Sequence, residues 1–152
     1  DIENVVAQAT AFFGDEYAGW WIDRSGRQPI LTIVVAGDRI EGAWEAFQGQ
    51  LYPGVVATTK LMPGKYTLTE LMRYKSILVN HVRDKFTAPG SVPSFPMVFG
   101  IDTASNAVSV ALTRTDAGFL PALQVLLPVD ALHVRWLSAP LRYSGTVTDP
   151  GG

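Results

Sequence analysis

The sequence predicts an α+β protein built from two tandem copies of one helix-strand-strand-helix-strand unit. Residues 20–35 and 98–112 carry the same pattern: an apolar run that ends in Ile-Asp, a short polar turn, and a strand of alternating apolar residues. Each pattern is that of a β-hairpin, and each is followed by an apolar helical segment and one more strand. The chain is therefore interpreted as an internal duplication.

The composition sets limits on both structure and function. The chain has 152 residues, of which 47% are hydrophobic, so it can bury a core without covalent staples. It contains no cysteine, which excludes disulfides, thiolate metal sites and cysteine nucleophiles. A formal net charge of −2 without any Lys/Arg-rich run argues against a nucleic-acid partner. The longest apolar runs have the length of strands, so no membrane insertion is expected, and an exported form would have lost its signal sequence.

The first unit is assigned to residues 1–64. Apolar residues recur at helical spacing over residues 2–13, after Asp1 as a possible cap. Strands are predicted over 17–23 and 31–35, joined by a turn at 24–27. Asp38-x-x-Glu41 resembles a capping box that opens a second helix ending near residues 52–54. A third strand is predicted over residues 55–61, closed by Pro63-Gly64.

The second unit is assigned to residues 65–137 and repeats this order. Thr67-x-x-Glu70 predicts the start of a long helix, followed by a loop rich in Pro, Gly and Ser that extends through Pro96. The hairpin at 98–112 comes next, and a second helical segment begins near Asp116, where Pro121 is expected to distort the first turn. The last strand is predicted over residues 132–137, and residues 138–152 are assigned to an extended tail.

Each unit is expected to form an antiparallel three-stranded sheet with two helices on one face and the other face free for a partner. Strand alternation turns Val108, Val110 and Leu112 toward the helices. In the last strand the same alternation separates Leu132, Val134 and Trp136 from His133, Arg135 and Leu137.

Three segments resemble the pro-regions of secreted chymotrypsin-like proteases of the alpha-lytic protease and streptogrisin type. They are Tyr-Ala-Gly-Trp-Trp-Ile-Asp at 17–23, Tyr-Thr-Leu-Thr-Glu-Leu at 66–71, and Gly-Ile-Asp-Thr-Ala-Ser-Asn-Ala-Val-Ser-Val at 100–110. The resemblance is spread over short motifs between residues 17 and 137. It implies an intramolecular folding catalyst and inhibitor that pairs a strand with its protease and places a C-terminal tail in the active-site cleft. By this likeness, residues 132–137 and 138–143 would contact the partner.

The sequence departs from that family in one respect. Its 152 residues include neither a chymotrypsin-like protease domain nor a Gly-Asp-Ser-Gly signature. The expectation is therefore either a separated pro-region or an orphan domain that has kept only the fold.

The resulting hypothesis is a non-catalytic, secreted or otherwise extracytoplasmic domain that binds a protein, with a secreted serine protease as the candidate partner. The candidate partner-binding residues lie on the last strand and in the tail: His133, Arg135, Leu137, Leu141, Arg142 and Tyr143. The alternative is an orphan extracytoplasmic sensor or small-ligand-binding domain of a larger assembly, with a pocket between the units.

Other polar residues are given structural interpretations. Asp23 and Asp102 each precede a hairpin turn, where an Asp side chain caps backbone N–H groups, so they are not assigned as a catalytic pair. Residues 102–106 lack the downstream Glu of a calcium loop. His81 and His133 lack the Ser or Cys motif of a nucleophilic site and are expected at the surface or the edge of the core. No cofactor, metal or enzymatic activity is therefore predicted.

Trp20 and Trp21 are adjacent on one strand and must face opposite sides of the sheet. The outer tryptophan is expected to pack under a loop or under the other unit. The alternative is that it stays exposed and contacts a partner.

Overall fold

The structure, a computed structural model, describes residues 1–37, 40–86 and 96–139, without the side chains of Glu41 and Phe86. The helices are α1 (Ile2–Phe13), α2 (Ile40–Gln48), α3 (Pro53–Val56), α4 (Leu68–Phe86) and α5 (Leu120–Gln124). The strands are β1 (Tyr17–Asp23), β2 (Ile30–Ala36), β3 (Thr59–Gly64), β4 (Val98–Asp102), β5 (Ala107–Thr113) and β6 (Leu132–Leu137). Short 3₁₀ turns lie at Gly14–Glu16, Arg114–Phe119 and Val129–Ala131. The α+β class and the two similar units are confirmed.

The strands form two three-stranded sheets with the orders β1-β2-β3 and β4-β5-β6. The first pair in each sheet is antiparallel, but β3 pairs with β2 and β6 pairs with β5 in parallel. The expectation of fully antiparallel sheets is therefore wrong. In each unit a helical crossover carries the chain back to the starting end of the central strand, and such a return makes the next neighbour parallel.

The third strand also begins later than predicted. The interval assigned to it, residues 55–61, opens with the helical turn α3, and β3 runs from Thr59 to Gly64. Pro63 and Gly64 are therefore the last two residues of the strand and not a turn that follows it. Because β3 is an edge strand, Pro63 needs no backbone donor on the outer side.

Two of the predicted helix starts are confirmed. Asp1 caps α1, since its carboxylate accepts a hydrogen bond from the Glu3 backbone at 3.1 Å. At α4 the Thr67 hydroxyl accepts from the Glu70 N–H and the Glu70 carboxylate accepts from the Thr67 N–H, both at 3.1 Å. This reciprocal pair is a capping box. The box expected at Asp38 and Glu41 cannot be compared in the same way, since Asp38 and the side chain of Glu41 lie outside what the structure describes.

Each sheet packs its helices on one face. The buried core of the first unit consists of Val5, Ala9, Phe13, Tyr17, Leu31, Ile33, Val35, Phe47 and Leu51. The buried core of the second consists of Tyr66, Leu71, Leu78, Val82, Met97, Val108, Val110, Leu112, Leu120, Leu123, Leu127 and Ala131. The inward orientation predicted for Val108, Val110 and Leu112 is confirmed, because all three are fully buried in this core.

The second unit packs on the first through the tip of its hairpin, residues 103–106. A Cβ atom on Gly19 would lie 2.9 Å from the Thr103 methyl group, and one on Gly64 would lie 2.9 Å from the Asn106 amide nitrogen. On the same face, Thr32 and Val34 are fully buried. The free face expected for each unit is therefore absent from the first sheet, because the hairpin tip covers it.

Candidate protein-binding face of the second sheet

The side of the second sheet away from its helices, termed the open face, carries the exposed side chains of His133 and Arg135, while Ala111 on β5 is buried. A shallow concavity of about 350 Å³ lies there, lined by residues that include Val98, Gly100, Ser109, Ala111 and Arg135. Val98 at its margin is 51% exposed, which is high for a strand valine. The face combines small and apolar side chains with the guanidinium of Arg135, a residue type enriched in protein interfaces.

The predicted partner-binding residues on β6 are placed as follows. His133 and Arg135 are exposed on the open face, whereas Leu132 and Val134 pack against the core. Leu137 is half-buried at the end of the strand. The alternation predicted along this strand is confirmed. Leu141, Arg142 and Tyr143 lie outside the described residues.

His133 belongs to a small polar cluster with Asp102 and Ser105. The Ser105 hydroxyl donates to Asp102 at 2.8 Å, and His133 Nδ1 lies 3.4 Å from that hydroxyl and 4.0 Å from the carboxylate. A nucleophilic triad requires the imidazole between serine and carboxylate. Here the serine bonds directly to the carboxylate, so the geometry is that of a capped turn.

The first unit contains the equivalent arrangement. Asp23 accepts from the Ser25 N–H at 2.9 Å and from its hydroxyl at 2.6 Å, and Lys60 Nζ lies 2.5 Å from the carboxylate. The strand registers make Lys60 the counterpart of His133, since Lys60 pairs with Thr32 and His133 with Ser109. The expected turn role of Asp23 and Asp102 is confirmed by these bonds and by the Ser105 N–H, which donates to Asp102 at 3.3 Å.

Charge pairing at this turn affects the ionisation of one carboxyl group. The hydrogen bond from the Lys60 ammonium group, helped by those from Ser25, holds the pKa of Asp23 well below its usual range. The sequence analysis missed both Lys60 and the two serines. A Ser two or three residues after the Asp was the available signal, while the strand pairing that brings Lys60 near was not evident from the sequence.

A second polar network fixes the segment that leads into β6. Lys65 Nζ lies 2.7 Å from the Asp130 carboxylate, and the Tyr66 hydroxyl donates to the same carboxylate. The Lys65 and Tyr66 donors lower the pKa of Asp130, while burial, followed by the bond to Asp130, raises the pKa of Tyr66. The linker between the units is thus tied to the turn just before β6.

The aromatic residues differ in exposure. Trp136 on β6 is 38% exposed and carries the Arg114 guanidinium 4.0 Å above its ring, a cation–π contact that the sequence analysis missed. Trp20 is 40% exposed on the helix side of the first sheet. Trp21 faces the other side and is half-buried, and its Nε1 is buried without a hydrogen-bond partner among the described residues.

The remaining candidate chemistry is sparse in the part of the chain that the structure describes. His81 is half-buried on α4. Within residues 1–37, 40–86 and 96–139, no three His, Asp or Glu side chains converge in a way that could hold a metal ion. Across the same residues, no helix has both the length and the apolar character needed to cross a bilayer.

No protein-family model matches the chain, and no curated protein matches it significantly. The likeness to protease pro-regions therefore rests on the three short motifs alone.

Proposed function

We propose that the chain is a non-catalytic extracytoplasmic domain that binds a protein partner through β6 and the open face of the second sheet, in the manner of a protease pro-region. The partner class suggested by the sequence likeness is a secreted chymotrypsin-like serine protease. Binding would both inhibit this protease and assist its folding.

One observation carries the proposal: β6 is an edge strand. It pairs with β5 on one side, and no strand of the described residues pairs with its other side. Such an edge presents a row of backbone N–H and C=O groups that an extended segment of a partner can bind. His133 and Arg135, which alternate along this strand on the open face, would then discriminate between partners.

The contrast between the two sheets supports the same assignment. The face of the first sheet that corresponds to the open face is covered by the hairpin tip of the second unit. The corresponding face of the second sheet carries the exposed side chains of His133 and Arg135, beside an edge that no strand of the described residues pairs with.

The proposal is tested by titrating the full chain into secreted chymotrypsin-like proteases and measuring hydrolysis of a chromogenic peptide. Inhibition is expected, and H133E and R135E should weaken it by about tenfold or more, since an anchor in an interface is worth at least about 1–2 kcal/mol. R24E, which changes an exposed charge in the first hairpin turn, is the matched control. Inhibition that is absent for every protease, or unaffected by both β6 variants, contradicts the proposal.

A truncated chain tests the contribution of the C-terminal residues. Deleting residues 138–152 is expected to leave the thermal unfolding midpoint nearly unchanged and to reduce inhibition by about tenfold or more. If the shortened chain unfolds, these residues are structural. If it inhibits as strongly as the full chain, a tail inserted into the protease cleft is refuted.

A further inference from the structure

A second concave surface lies at the opposite edge of the same sheet, between α4 and β4. This α4–β4 groove has a volume of about 460 Å³. Its apolar lining is Met72 and Val79 on the helix and Ile101 on the strand, and Met72 is 55% exposed. An exposed methionine on a helix that borders a groove is a feature of surfaces that bind peptides.

The charges in the groove all have one sign. Lys75 and Arg83 line it, and no Asp or Glu does. Neither cation forms an ion pair with any residue in the described parts of the chain. Since the whole chain is formally negative, two cations without a carboxylate partner around an apolar floor indicate an acidic ligand.

The spacing of the two cations matches an extended peptide. Lys75 and Arg83 are eight residues apart on one helix, which is about 12 Å along its axis. In a β-strand, residues i and i+4 lie on one face and are separated by about 13 Å, with residue i+2 between them on the same face. An acidic-x-apolar-x-acidic segment laid along α4 therefore matches the separation of the two cations, with its apolar side chain level with Val79, which lies midway between them on the helix.

The neighbouring strand can hold such a segment. β4 is the other edge of the second sheet, and among the described residues it pairs only with β5. Ile101 belongs to the helix side of the sheet, where it packs against the core. A strand added beside β4 would therefore direct every second side chain toward α4.

We propose that the α4–β4 groove binds an extended acidic segment of a protein, with acidic residues at positions i and i+4 and an apolar residue at i+2. The segment pairs with the free edge of β4 while Lys75 and Arg83 bind its carboxylates. This site lies across the sheet from β6 and does not depend on the function proposed above.

The test uses the full chain and a fluorescein-labelled peptide, Ser-Glu-Thr-Leu-Thr-Glu-Ser, followed by fluorescence anisotropy. Saturable binding is expected, and K75E and R83E should each weaken it about tenfold, the ratio that corresponds to 1.4 kcal/mol. K85E changes an exposed cation on the same helix outside the groove and should alter binding less than twofold. Circular dichroism melts of all three variants show whether each is folded.

Modified peptides test the strand pairing and the spacing. Methylating the backbone nitrogens of alternate residues should abolish binding in one of the two alternating patterns and spare it in the other. A peptide with its second Glu moved to i+3 should bind about tenfold more weakly. Equal effects of the two methylation patterns, an unchanged affinity of K75E and R83E, or absence of peptide binding to the folded protein each overturn the proposal. Displacement of the label by dodecanoate with no effect of either methylation pattern would assign the groove to an amphiphile instead.

Discussion

At the scale of single residues, Asn106 ties the start of the second unit, at Lys65 and Tyr66, to the tip of that unit's hairpin. It adopts a left-handed backbone conformation, with φ of 51°, which Asn tolerates better than most residues. Its side-chain oxygen accepts from the N–H groups of Lys65 and Tyr66 at 2.6 and 2.8 Å, and its amide nitrogen donates to the Tyr66 carbonyl at 2.9 Å. One side chain thus satisfies three backbone groups of the linker, and two of these contacts are buried.

Removing this side chain should be costly. We expect N106G to destabilise the protein by about 2–4 kcal/mol, because buried backbone groups lose their partners while glycine keeps the left-handed conformation. N106A should cost about 1 kcal/mol more, owing to its less favourable backbone conformation. Urea unfolding of both variants measures these losses. Wild-type stability of N106G would mean that Asn106 serves the turn conformation alone.

The Asp23–Lys60 pair should make stability depend on acidity. Because folding lowers the pKa of Asp23, its contribution is present above the unfolded value of about 3.9 and is lost as the pH falls through the folded value. D23N should therefore be less stable than the wild type at pH 7, and this difference should shrink steadily below about pH 4.

The measurement is the urea midpoint of each protein at several pH values. D15N, which alters an exposed carboxylate in the 3₁₀ turn after α1, provides the control and should show no such convergence. A D23N deficit that stays constant down to pH 2.5 would contradict the role given to the ion pair.

At the scale of secondary-structure elements, the capping box of α4 should set the stability of the helix that lines the proposed groove. T67A removes the hydroxyl that accepts from the Glu70 N–H and is expected to cost about 1 kcal/mol. T69A, an exposed substitution within the first turn, should change stability by less than about 0.5 kcal/mol. Thermal melts compare the two, and equal melting temperatures would argue against the cap.

The same elements show what the sequence could reveal. Helical spacing and caps located α1 and α4, and period-two alternation located both hairpins, because these signals arise from neighbours within a few residues. The direction of β3 and β6 has no such signal, because a strand of alternating residues has the same sequence pattern in parallel and in antiparallel pairing. The path of the helical crossover alone determines the direction of the third strand in each sheet.

The candidate sites likewise divide into those with a local sequence signal and those formed only by long-range contacts. Alternation along β6 correctly predicted that His133 and Arg135 are exposed, because alternation is a local property of the strand. The α4–β4 groove was not predicted, because Ile101 meets α4 only once the sheet order makes β4 an edge strand. The contact of Asn106 with the linker joins residues about 40 positions apart, and no periodic pattern in the sequence predicts it.

At the scale of the whole molecule, the units associate because two glycines leave room for the hairpin tip. G64A would place its new carbon 2.8 Å from a Val34 methyl group and 2.9 Å from Asn106, so we expect a loss of about 1–3 kcal/mol from overpacking. G42A, in α2, meets nothing within 4 Å and should be neutral or stabilising by up to about 1 kcal/mol. Differential scanning calorimetry tests both, and a G64A midpoint at or above that of G42A would show that the units adjust freely.

The positions of these glycines also limit how far the architecture can be extended. By strand register, Gly19 and Gly64 correspond to Val98 and Leu137 in the second sheet. Repeated units that stack head to tail can grow into open filaments unless the last unit has no surface on which another unit can pack. A third hairpin tip arriving on the second sheet would meet a valine and a leucine where the first sheet has only hydrogen atoms. These two side chains would obstruct a further unit at the place where the second unit packs on the first.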